Sequence, residues 1–136
     1  MMMTQGQTFG PVRVPVDRST IVRYAGASTD FNPIHWSDRA ARAAGMDGVI
    51  AHGMWTMGAA LGVVVDWVGD PGRVRSQKAR FTRPVLVPDD EEGTAIEVSG
   101  TVRAADEHTA TILVDVTHDG VAVLGRVEVV VSQEQS

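Results

Sequence analysis

Seven consecutive residues, Thr29, Asp30, Phe31, Asn32, Pro33, Ile34 and His35, bring a carboxylate, an amide and an imidazole into one short stretch. Near neutral pH, Asp and His are the usual proton-transfer partners. Pro33 lacks an N–H and pushes Asn32 out of the α region, so the stretch reads as a shaped loop rather than a helix. Acid/base chemistry requires Asp30 and His35 to face one pocket. The proline stiffens the turn, and Asn32 can hydrogen-bond either neighbour, which makes such a geometry reproducible. Without a shared pocket the same residues make a capped turn with an exposed histidine.

A second group, Ala51, His52 and Gly53, stands at the start of an apolar helix. The first N–H groups of a helix are unpaired and lie at the positive end of its dipole. Gly53 would let a ligand approach that main chain closely, where a developing oxyanion could be held. The competing use of Gly53 is relief of crowding. His52 reads as a packed or capping residue, with catalysis the lesser reading. Asp30, His35 and His52 can be drawn as metal ligands. They lack the i, i+4 pairing of a helix site, so no metal is expected.

The remaining charged groups carry weaker signals. Arg73, Arg75, Lys78, Arg80 and Arg83 are the one basic concentration. They read as a solvated sheet edge or as a contact for an anionic phosphopantetheine-type carrier. His108, His118 and the acidic run at 89–92 read as solvated. Net charge is −5 with signs well mixed, which argues against nucleic acid as a partner. There are no cysteines, so disulfides and thiolate chemistry are excluded.

The elements that must position these groups follow from periodicity and breakers. A chain of 136 residues, 43% hydrophobic, suits one domain over 1–136, with 1–8 a loose lead-in. No charged and apolar leader pattern opens it, and 54–65 is too short to span a bilayer. A cytoplasmic protein with no membrane partner is expected. Val12, Val14 and Val16 alternate between prolines, as at a sheet edge. Asp17 caps a helix over about 18–27, and Ser37 caps a second over 38–44 ended by Gly45. The third helix, about 54–68, is apolar nearly all round and should be buried on most sides. Its Gly58 and Gly62 suggest close packing against another backbone. The rest is β: a run over 73–87 broken at Pro84, then alternating sets around Ile96, Ile112 and Val127. Asp119-Gly120 is a hairpin signal. This predicts an α+β domain in which an antiparallel sheet of about five strands wraps the long buried helix. Its open edges favour dimers.

The residues 24–35, followed by Ala51, His52, Gly53 and Met54, resemble the MaoC-like (R)-specific enoyl hydratase/dehydratase family, which has the hot-dog fold. The run Val68, Gly69, Asp70, Pro71, Gly72 resembles the catalytic B-type subunit of the mycobacterial (3R)-hydroxyacyl-ACP dehydratase. The resemblance implies reversible dehydration of (3R)-hydroxyacyl thioesters of ACP or CoA, without a cofactor. It makes Asp30 and His35 the catalytic dyad, Asn32 the residue that orients it, and the Gly53 N–H the holder of the thioester oxygen. Phe31, Pro33, His52, Met54 and Trp55 become candidate substrate contacts. Partners would be the acyl carrier and a second hot-dog subunit, like or unlike. A non-catalytic tunnel-forming subunit is the first alternative. A hot-dog thioesterase is the second, disfavoured because Asp66 is the one carboxylate on the helix and lies near its far end. The family usually has Gly where this chain has Thr29, a β-branched residue expected to keep a negative φ.

Overall fold

The computed structural model describes residues 2–134. Its elements run β1 (Thr8–Val16), α1 (Arg18–Ser28), a 3₁₀ turn (Pro33–His35), α2 (Asp38–Ala43), α3 (Gly53–Val68), a second 3₁₀ turn (Pro71–Arg73), β2 (Val74–Phe81), β3 (Thr94–Ala105), β4 (Thr109–His118) and β5 (Val121–Ser132). The strands form one antiparallel sheet in the order β1-β3-β4-β5-β2, with β1 and β2 at its edges.

Alternation explains which face of the sheet is covered. Ile96, Val98 and Val102 of β3, Ile112, Val114 and Val116 of β4, and Val127, Val129 and Val131 of β5 are all buried. Successive strand residues point to opposite faces, so each set lines one side. Asp119 and Gly120 take φ of 51° and 78°, the backbone that a two-residue hairpin demands. A bulge at Arg126, φ 51°, separates Leu124 from Val127 and resets the alternation in β5, so that both are buried although three residues apart. The covered face packs against α3, whose Ala60, Val63, Val64 and Val68 enter the same core. Trp67 stacks on Phe9 of β1 with ring centroids 4.9 Å apart.

The first two helices begin as their caps dictate. Asp17 accepts from Thr20 N–H at 2.9 Å, and Thr20 returns the bond to the Asp17 N–H. Ser37 accepts from Ala40 N–H at 3.1 Å. α3 differs from expectation in one respect. It is not buried on most sides: Met54 is 59% exposed, and Gly58, Gly62 and Asp66 are exposed below it. A Cβ at Gly58 or Gly62 would meet nothing within 4 Å, so the close packing expected there does not occur within this chain. The composition was apolar all round, but the sheet covers one flank only.

Four smaller expectations change. Residues 3–7 are not loose: Met3 is buried, and Gln133 both donates to its carbonyl and accepts from its N–H. Met1 lies outside the described residues. The run over 73–87 ends as a strand at Phe81, and Leu86 keeps a single bridge to Ile50. Arg73 is not a solvated edge cation. It is 1% exposed, and its Nε donates to the Ser132 carbonyl at 2.8 Å, joining the start of β2 to the end of β5. His118 is not solvated either; its ring pairs with the Thr94 hydroxyl at 2.9 Å.

Candidate active site

The loop is shaped first by bonds among its own residues. α1 ends at Thr29 with φ 61° and ψ 16°, in the left-handed region. This overturns the expected negative φ. The chain has to reverse at the helix end, and a left-handed residue there is the common way to do it. For a β-branched residue the conformation costs on the order of 1–2 kcal/mol. Asp30 N–H then bonds Ser28 Oγ at 3.2 Å, and Asn32 N–H bonds Asp30 Oδ1 at 3.1 Å. Asn32 Oδ1 accepts from Ile34 N–H at 3.2 Å and starts the 3₁₀ turn, with Pro33 at its first position. So Asn32 holds Asp30 through its main chain, while its side chain caps the turn. Trp36 closes the loop from outside, its Nε1–H donating to the Phe31 carbonyl at 2.9 Å.

Three bonds fix this loop against the entry to α3. Ile50 N–H donates to the Ile34 carbonyl at 3.2 Å. His35 Nδ1 lies 2.8 Å from the Ile50 carbonyl, and His52 Nε2 lies 3.0 Å from the Asp30 carbonyl. A carbonyl can only accept, so His35 carries its proton on Nδ1 and His52 carries its proton on Nε2. His35 Nε2 therefore presents a lone pair, 4.0 Å from Asp30 Oδ2. That gap is too long for a direct hydrogen bond, yet a hydroxyl oxygen can reach both atoms. Burial pushes the His35 imidazole below its ordinary value of 6.5, with the bond to Ile50 and the Asp30 charge opposing. The neutral base is thus the favoured form near neutrality. Asp30 remains about half exposed.

The start of α3 supplies the third component. α1 and α2 have side-chain caps, but His52 at the N-cap of α3 makes no capping bond. The first N–H groups of this helix stay available to a ligand. Gly53 also keeps a tight approach open: a Cβ there would lie 3.0 Å from Cδ1 and Cε1 of Phe81. Two cavities of about 370 Å³ each meet at Gly53 and Phe81. One is apolar, lined by His35, Ile50, Thr56, Val85 and Leu124. The other is lined by Tyr24, Ser28, Asp30, His52 and Met54.

The structure therefore brings together Asp30, His35, His52, Gly53 and Met54. Phe31 and Pro33 are exposed and line neither cavity, and Trp55 packs against the core. His52, expected as a substrate contact, is 2% exposed, and its one hydrogen bond goes to the protein. Phe81, Thr56, Val85 and Leu124 were not singled out by the sequence. They come from α3, β2, β5 and the segment between β2 and β3, and residues so far apart in the sequence carry no local mark of lining one cavity. Of the basic residues, Arg83 reaches the apolar cavity, while Lys78 and Arg80 lie on the outer side of the sheet beside Arg103 and Arg126.

Ligand atoms of Asp30, His35 and His52 lie within 4.8 Å of one another. The two imidazoles, however, stack with centroids 3.8 Å apart and planes 21° from parallel. Their in-plane lone pairs run side by side and do not converge on one ion. Among the described residues no helix is long and apolar enough to cross a membrane.

Comparison with known proteins agrees with this architecture. Residues 2–120 match the model of the MaoC like domain. A fatty acid synthase subunit beta of Aspergillus oryzae is 39% identical over 80 residues, 57% of this chain and 4% of that protein. The 3-hydroxyacyl-thioester dehydratase X of Mycobacterium tuberculosis is 43% identical over 68 residues, 50% of this chain and 23% of that protein. A solved MaoC-like dehydratase superposes with a TM-score of 0.91 at 34% identity, covering 98% of this chain and 41% of its own. The chain thus spans less than half the length of each of these relatives. With five antiparallel strands packed on one long helix, and an Asp/His loop set against that helix's start, the chain belongs to the MaoC-like family of hydratases and dehydratases.

Proposed function

We propose that the chain catalyses the reversible dehydration of (3R)-hydroxyacyl thioesters, carried on CoA or ACP, to trans-2-enoyl thioesters. The observation that carries this reading is the bare His35 Nε2, 4.0 Å from Asp30 Oδ2 and beside a helix start with no side-chain cap. In dehydration His35 Nε2 takes the α-proton. The C–H electron pair moves toward the thioester carbonyl, whose oxygen is held by the Gly53 N–H. Collapse of this enolate forms the C=C bond and expels the 3-hydroxyl, which takes the proton from the His35 imidazolium and leaves as water. Asp30 accepts a hydrogen bond from that hydroxyl and faces the transient imidazolium. Hydration is the reverse. An oxyanion donor of this kind contributes about 3–4 kcal/mol to the transition state. The apolar cavity beside His35 suits an acyl chain.

The open flank of α3 and the free edge of β2 support pairing with a second hot-dog subunit, like or unlike. The native mass of the purified chain distinguishes a pair from a monomer.

The activity is tested on the purified chain with a crotonyl thioester, following loss of the conjugated enoyl absorbance and the configuration of the product. Asp30→Asn, which removes the charge facing the transient imidazolium, should lower turnover by roughly 10²–10³-fold, the range for losing one electrostatic contact to a developing charge, with the fold intact. Undiminished turnover in that variant would overturn the reading.

A further inference from the structure

Asp30 has an unusual position for a reacting group. Its carboxylate is half exposed, and its bonds to Ser28 and Asn32 are local, so they move with the loop. The His35 end of the loop is anchored twice to Ile50, through Ile34 and through its own ring. At the Asp30 end, among the described residues, the bond that reaches across to α3 is the one from His52, 22 positions along the chain.

His52 occupies an N-cap position, where Ser, Thr, Asp or Asn would bond the helix's first N–H groups. It does not do so. It is 2% exposed, with Tyr24 edge-on at 4.7 Å on its ring and His35 stacked at 3.8 Å. Its Nδ1 is buried with no hydrogen-bond partner. An unpaired buried polar atom is unfavourable, and an apolar side chain of similar size would fill the space without it. What an apolar side chain cannot supply is the Nε2–H donor to Asp30. The stacked rings also fix the Asp30 anchor directly against the His35 ring.

We propose that His52 is a positioning residue: by donating Nε2–H to the Asp30 carbonyl while stacked on His35, it sets the separation of the Asp30 carboxylate from His35 Nε2. This rests on the Asp30/His35 reading above and extends it to a side chain that transfers no proton itself and acts through the placement of Asp30. Misplacement of a reacting group by about 1 Å can cost up to about 100-fold in rate.

Two variants separate the donor from the ring. His52→Phe keeps a flat, stackable ring and deletes the donor. His52→Gln keeps an amide N–H donor near the position of Nε2. With a crotonyl thioester, His52→Phe should lower kcat by about tenfold or more at nearly unchanged KM. His52→Gln should stay within about threefold of the parent, since the donor is retained. A His52→Phe enzyme with parental kcat, or equal losses in the two variants, would overturn the proposal. A second readout needs no substrate. Nitrogen-15 spectra of the histidines in the parent chain should show His52 protonated on Nε2. Amide exchange at Asp30 and Asn32 should quicken in His52→Phe and not in His52→Gln. A proton on Nδ1, or unchanged exchange, would overturn the anchor even in an active enzyme. An inactive parent chain with the expected tautomer and exchange would instead defeat the catalytic reading and leave the anchor standing. If His52→Phe does not fold, the parent tautomer and the kcat of His52→Gln decide.

Discussion

The loop over 29–35 and the first turn of α3 face each other across one site, and they are built by opposite means. The loop is exposed up to Pro33, and its shape comes from side chains bonding main chain two residues away. It contains a strained left-handed Thr29. The approach to α3 is buried at Ala51 and His52 and leads into a regular helix, and the Ala51 N–H bonds the Val85 carbonyl across the molecule at 2.9 Å. Local bonds therefore give the loop its form, while a few long-range bonds give it its place. Changes that spare the long-range bonds should affect chemistry without affecting folding.

His35 tests that division most directly, because its two ring nitrogens serve different halves. Nδ1–H bonds Ile50, and Nε2 faces Asp30. In His35→Asn the amide nitrogen takes the place of Nδ1 and keeps the anchor, while the base is deleted. Turnover should fall by roughly 10²–10⁴-fold, the range for a lost general base. The thermal midpoint should fall by only a few degrees. An equal loss in His35→Ala and His35→Asn, both through unfolding, would show that placement and chemistry cannot be separated here.

Acidification reaches the same nitrogen without mutation. Burial holds the folded His35 value below 6.5, so the neutral base survives to lower pH than in a free histidine. The acid limb of kcat/KM should lie below 6.5 and fall about tenfold per pH unit beyond it. The stability effect has a definite sign. Between the folded value and 6.5 the unfolded chain binds more protons, so His35 lowers stability as pH falls through that window and has no effect above it. Activity and thermal midpoint measured across that window check both. An acid limb above 6.5 would mean that His35 is not the base.

Gly53 probes the other half. In Gly53→Ala the new methyl would press on Phe81, whose ring is half exposed and can shift. The N–H remains, but the approach to it narrows. A loss of about tenfold in kcat/KM is expected, less than the 10²–10³ for deleting an oxyanion donor outright. Folding should be unaffected or slightly improved, since Ala favours helix over Gly. Full activity in Gly53→Ala would move the oxyanion site away from this amide.

The same division decides what was legible in the sequence. Alternating valines in β3, β4 and β5 gave the sheet, Asp17 and Ser37 gave two helix starts, and Asp119-Gly120 gave a turn, because each signal acts over a few residues. Asp30, His35 and Gly53 stood out as candidates for the same reason. Arg73 was misread because its partner carbonyl is Ser132, at the far end of another strand. The cavity walls at Phe81, Val85 and Leu124 were invisible for a similar reason. The open flank of α3 was missed because composition reports how apolar a helix is, not how much sheet is available to cover it.

Thr29 is where the local pattern and the backbone disagree, and the smallest effect is expected there. Glycine at this position would release the strain of a β-branched residue at φ 61°, on the order of 1–2 kcal/mol. Against that, glycine loses more conformational freedom on folding, by about 0.5–1 kcal/mol. The bond from Thr29 Oγ1 to the Ser28 carbonyl, 2.6 Å, is also lost. These contributions nearly cancel, so Thr29→Gly should change stability by no more than about 1 kcal/mol, with a midpoint shift of about 4 °C or less. Turnover should change less than threefold, because the anchors from Ile50 and His52 are untouched. A large loss of activity at unchanged stability would break the comparison. It would mean that the left-handed turn at the end of α1, and not the long-range bonds, places Asp30.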